Sequence, residues 1–331
     1  MCSCIHADVS LSLADMTDKS VEDDPGALGR EHYPSAPRKG RSRKIAPTEQ
    51  RRYRASFTTG FPDKMRRRAG VLLPKETGAI AQILTTLVAT VSMVPNPPPA
   101  GLTALAALAL FFAHEPFMIV TNLRGARARH ENAAEAWRQL VIAPLFAITM
   151  GVVAALMGPA NTVLTYLIPG IPAAVLMLLV FGRLEKTFEG ELLVAITIGA
   201  FGFPVAYAGG AAASHAAAIA SVWVIVLCVA TMAVRRVTAR AKSAMTFVKF
   251  IAPIITGVSA IALLDAFTRA GVFPVGTAAT PVPVLLFSFW ITLRPPHLRH
   301  IRKVGWTMAV CLLLTCVSLV AVMSSARPQA L

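Results

Sequence analysis

From Gly78 onward, apolar runs follow one another with only short polar breaks. They lie near 78–94, 100–121, 139–157, 161–181, 191–208, 211–234, 248–267, 271–292 and 305–324. A hydrocarbon core ~30 Å thick takes about 20 apolar residues of helix. Inside it, each backbone N–H and C=O has to be satisfied within its own segment or by close neighbours. The pattern therefore predicts an all-α integral membrane protein, a nine-span helical bundle over residues 71–326. The first run is short, and Pro274, Pro281 and Pro283 interrupt the eighth.

Before Gly78 the pattern is lost. Residues 20 to 70 are rich in Arg, Lys, Asp, Glu, Pro and Ser, with few large apolar side chains. Such a stretch cannot bury enough surface to offset its ordering entropy, so residues 1–70 read as a disordered basic tail. The segment Met1 to Ser20 holds Asp8, Asp15 and Asp18 and has no basic opening, which is not the pattern of a signal peptide. Met65 opens Met-Arg-Arg-Arg-Ala-Gly-Val-Leu-Leu-Pro and is a second expected start for the chain.

Composition agrees with the pattern: 55% of residues are hydrophobic and 15% charged, against roughly 45–50% and ~25% in soluble domains. The net charge of +15 takes its meaning from where the cations lie. With the tail placed in the cytoplasm, the even-numbered connections carry Arg124, Arg127, Arg129 and Arg138, then Arg183 and Lys186, then Arg235, Arg236, Arg240, Lys242 and Lys249, then Arg294, Arg299, Arg302 and Lys303. Of all 32 Lys and Arg, only Arg269 and Arg327 fall on the other side. Cytoplasmic loops collect such residues, so the expected orientation is N-terminus in the cytoplasm and C-terminus outside. The same bias accounts for the basic balance without nucleic acid as a partner; the partner it implies is the lipid bilayer.

Cys2, Cys4, Cys228, Cys311 and Cys316 form no metal-ligand spacing and no spaced, even set, so neither a metal site nor a disulfide framework is expected. No cofactor and no catalytic residue can be assigned from the sequence.

Ionisable residues within spans are the informative ones. Glu115 lies in the second span about 9 Å from its cytoplasmic end at 1.5 Å per residue, with His114 before it and Pro116 after it. Asn122 follows at a spacing that puts it on the same helical face. At the mouth of the first span, Lys75 and Glu76 follow Pro74. A five-residue link makes the first two spans antiparallel neighbours, so Lys75 is expected to pair with Glu115. The loop 122–138 adds Arg124 and Arg127, whose guanidinium groups suit a phosphate or carboxylate. The candidate ligand-binding set is thus Lys75, Glu76, Glu115, Asn122, Arg124 and Arg127. The partner it suits is an amphiphile with an anionic head, isoprenoid or quinone-like, held in a cytoplasm-facing pocket.

The stretch Leu72-Leu73-Pro74-Lys75-Glu76-Thr77-Gly78-Ala79 resembles the Pro-Lys-Glu-His-Gly-Ala opening of the YwiC-like family of bacterial membrane proteins. The basic loop running into Val304-Gly305-Trp306 before the last span is similar as well, so the resemblance is expected to cover residue 65 to about 325. Thr77 stands where that family has histidine, so no role of that histidine carries over. The resemblance implies a multi-pass protein of the bacterial inner membrane and no particular activity. Nine spans with their longer loops on one face also resemble the UbiA-type prenyltransferases, which hold magnesium and a prenyl diphosphate on Asn/Asp-rich motifs. Asn122 matches the first Asn of such a motif, but Leu123, Ala126 and His130 stand where its acids belong, and the other loop has none. A magnesium–diphosphate clamp needs hard oxygen ligands. Three functions follow as expectations: an amphiphile-binding bundle, a proton-coupled small-solute transporter using His114 and Glu115, and a structural membrane subunit.

Overall fold

The computed structural model describes residues 77–240, 247–297 and 300–325. The described residues are helical and contain no strand. In chain order the helices are α1 (Thr77–Ser92), α2 (Pro97–Val120), α3 (Ala126–Met157), α4 (Thr162–Thr165), α5 (Leu167–Phe181), α6 (Phe188–Ala200), α7 (Gly202–Ala208), α8 (Ala213–Arg240), α9 (Phe247–Arg269), α10 (Val282–Leu293) and α11 (Ile301–Ser325). A short 3₁₀ turn at Thr277–Ala279 precedes α10. The basic tail, residues 1–70, lies outside the described residues.

Seven helical segments are long and apolar enough to cross a membrane: 97–120, 126–157, 162–181, 188–208, 213–237, 252–269 and 301–325. Two shorter apolar segments, 78–92 and 277–293, coincide with the short first run and the proline-interrupted eighth. The chain is therefore a polytopic membrane protein in which each of the nine apolar runs contains helix.

The core is built around α8. Trp223, Val222, Val226 and Leu227 are fully buried, and α8 packs against α6, α7, α9, α10, α11 and α1. Small residues make the closest of these contacts: a Cβ added at Gly199 of α6 would stand 2.6 Å from the backbone N of Val224. This is how membrane helices associate where lipid is as apolar as the side chains. By contrast α3, α4 and α5 sit at the periphery. Val141, Leu145, Ile148, Leu156, Leu167 and Leu178 all expose much of their surface, as a lipid-facing layer does. Tyr166 ties that layer together by donating its hydroxyl to the Gly151 carbonyl at 3.0 Å.

The helix α3 has 32 residues, which at 1.5 Å per residue is about 48 Å. It outruns a ~30 Å hydrocarbon core, and its first turns carry Arg127, Arg129, His130 and Glu131 as an aqueous extension. Turns between successive helices are short on the opposite face. The link of α1 to α2 is pinned there by the Asn96 N–H donating to the Gly209 carbonyl at 2.9 Å.

Candidate functional site

The second helix begins on Pro97 and Pro98, which occupy its first turn, where the backbone N–H groups have no helical acceptor. It continues through Pro116 and ends at Val120. Its end is a Schellman motif: the Leu123 N–H donates to the Met118 carbonyl at 2.9 Å and the Asn122 N–H to the Ile119 carbonyl at 3.1 Å. Asn122 supplies the left-handed residue this motif requires, with φ of 63°. Asparagine tolerates that conformation better than other side-chain-bearing residues.

The motif determines where Arg124 goes. Its N–H also turns back to the Met118 carbonyl, at 3.2 Å. Its guanidinium Nη2 then donates to Glu115 Oε2 at 2.5 Å. Glu115 is only 5% exposed, whereas the Arg124 side chain is 24% exposed and covers it from the aqueous side. Arg124 Nε is buried and has no hydrogen-bond partner among the described residues. Beside the pair, Phe117 meets Phe181 of α5 edge-on, ring centroids 5.5 Å apart. That contact brings the end of α2 and the end of α5 to the same face of the bundle.

The structure thus brings Glu115 and Arg124 together and places Asn122 and Arg127 apart from them. Asn122 is exposed and lies beyond the helix end; the helical projection that placed it above Glu115 does not apply past Val120. Its contribution is the turn itself. Arg127 is 91% exposed and donates from Nε to Glu131 at 2.9 Å, one helical turn on. Lys75 and Glu76 lie outside the described residues, and with them the expected Lys75–Glu115 pair. Asp265 and Arg269, one helical turn apart on α9, form a surface pair at 2.8 Å.

An ion pair between two core helices was not foreseen. Arg235, on α8, grips Glu191, on α6, in a forked arrangement of 2.6 and 3.2 Å. It also donates to the Lys186 carbonyl and lies over the Phe188 ring at 5.9 Å. The signal available was a glutamate in the first turn of one span and arginines at the end of the next. Here the pair joins two core helices, and a chain-local reading had no means to match them. Among the described residues no group of His, Cys, Asp and Glu is arranged to hold a metal ion.

An apolar groove of about 860 Å³, open on one side, runs between α1 and α2. Leu84, Val88 and Val91 line it from α1, and Gly101, Leu105 and Leu108 from α2.

Residues 73–207 match the family model described as YwiC-like protein. The match includes the Pro74-Lys75-Glu76-Thr77-Gly78 stretch, the Glu115–Arg124 pair and the groove, and is narrower than the span from residue 65 to about 325 read from the motifs. No curated protein matches the chain, and no solved structure does. Nothing in these comparisons supports the UbiA-type likeness.

Proposed function

We propose that this polytopic protein, placed in a bacterial inner membrane with its basic face in the cytoplasm, binds the anionic head of an amphiphile at the Glu115–Arg124 pair. The observation that carries the reading is the buried Arg124 Nε, an N–H donor with no acceptor among the described residues, beside a buried carboxylate. A buried donor without a partner costs ~1–3 kcal/mol, and more when charged. A phosphate or carboxylate oxygen would satisfy it. In this reading Glu115 orients the guanidinium, the turn at Asn122 delivers it, and Arg127 on its exposed helical turn adds positive potential at the rim. The bilayer supplies the tail's surroundings.

Purified full-length protein should bind farnesyl monophosphate and not farnesol, which has the same tail without the charge. The Arg124→Ala variant should bind the phosphate at least tenfold more weakly. Equal binding by Arg124→Ala, or equal binding of farnesol, overturns the proposal. Orientation is tested separately by labelling single cysteines placed at Arg129 and at Gly210 in intact cells. The proposal expects an impermeant reagent to reach only the second.

A second reading, proton-coupled transport of a small solute, draws on Glu115 as a buried acid beside the proline of α2. It requires uptake into proteoliposomes that follows an imposed proton gradient and stops in Glu115→Gln.

A further inference from the structure

The groove between α1 and α2 and the Glu115–Arg124 pair lie on one line. Along α2, Gly101, Leu105, Leu108, Phe112 and Glu115 are spaced four, three, four and three residues apart, which is one face of a helix. Gly101, Leu105 and Leu108 line the groove. Phe112 is half-buried between the groove and the ion pair. On α1 the facing positions Ala81, Leu84 and Val88 are exposed toward the same side. The groove itself ends at Leu108, and Phe112 carries the same helical face on to the buried Glu115.

The length of this line selects its occupant. Glu115 to Leu108 is about 10 Å along the helix, and Glu115 to Pro97, at the groove's far end, is about 27 Å at 1.5 Å per residue. One leaflet of a ~30 Å core is about 15 Å deep. The acyl chains of an ordinary phospholipid whose head sat at Arg124 would enter only the near part of the groove. Filling it takes a tail that passes the bilayer midplane. The volume of about 860 Å³ falls within the ~300–1,000 Å³ typical of ligand clefts, and its lining is apolar apart from Ser92.

We infer that the groove is the tail site for a long single-chain amphiphile, a polyisoprenoid carrying a phosphate head, whose head is held at Glu115–Arg124. The inference rests on the head-group reading above and names the class of ligand for it. Gly101 provides the test residue. A Cβ added there meets nothing within 4 Å, so Gly101→Leu starts its side chain in open space at the groove.

Binding of farnesyl monophosphate and undecaprenyl monophosphate to the full-length protein in nanodiscs provides the measurement. The wild type should bind the longer lipid at least tenfold more tightly. Gly101→Leu should bring the two together by weakening only the longer one. Equal affinity in the wild type overturns the tail assignment, and so does an undiminished preference in Gly101→Leu. If the shorter phosphate binds through Arg124 with no preference for length, only the tail site falls. If neither phosphate binds the wild type, the head-group reading falls with it.

Discussion

Replacing Arg124 by leucine leaves the Glu115 carboxylate inside the bundle with no cation against it. Removing one member of a buried pair costs ~3–5 kcal/mol. The reciprocal change, Glu115→Leu, strands a guanidinium whose side chain is 24% exposed and can turn to water. Its cost is discounted for that access, to about 1–2 kcal/mol. The double variant removes both charges and should lie within about 1 kcal/mol of the wild type, a coupling of ~2 kcal/mol or more. Denaturant or thermal unfolding of the purified full chain, followed by tryptophan fluorescence, measures all three. The expected order of destabilisation is Arg124→Leu, then Glu115→Leu, then the double variant. Additive single changes would refute the assignment of a buried, mutually dependent pair.

Three further outcomes can be stated. Gly199→Ala puts a methyl group 2.6–2.8 Å from Val224 and should cost ~1–3 kcal/mol by overpacking, seen as a lower unfolding midpoint. Asn122→Ala should lose ~1–2 kcal/mol because its φ is positive, while Asn122→Gly should hold stability; both are read from the same unfolding curves. Arg235→Met should cost less than Arg124→Leu, because both members of its pair are a quarter or more exposed. A loss as large as that of Arg124→Leu would contradict that ranking.

Much of this architecture is legible along the chain because membrane helices announce themselves by length and polarity. The apolar runs coincide with helices, and the two that are short or proline-broken yield the two short helices. What escapes is contact between elements. Glu115 was legible as an unusual intramembrane acid, and Arg124 as a basic loop residue, yet their pairing depends on a left-handed residue between them. Helical periodicity extended one turn too far misplaced Asn122 for the same reason. Arg235 reaches Glu191 across 44 residues of sequence, a contact made by helix packing and carrying no local signature. The break at Phe201 between α6 and α7 is equally silent, since the apolar run passes through it without a change of composition.

The close approach of Gly199 to Val224 bears on how this protein can be divided. The stretch similar to YwiC-like proteins ends at residue 207, yet Gly199 and Gly202 inside it seat directly against Val224, Ala220 and Trp223 beyond it. The edge of the matched stretch therefore cuts through a tightly packed seam and does not mark a separable module. A fragment ending at 207 would present a flat, small-residue surface to lipid with nothing shaped to fill it. Substitutions on the two sides of that seam should be constrained together during divergence, even though the match covers only one of them.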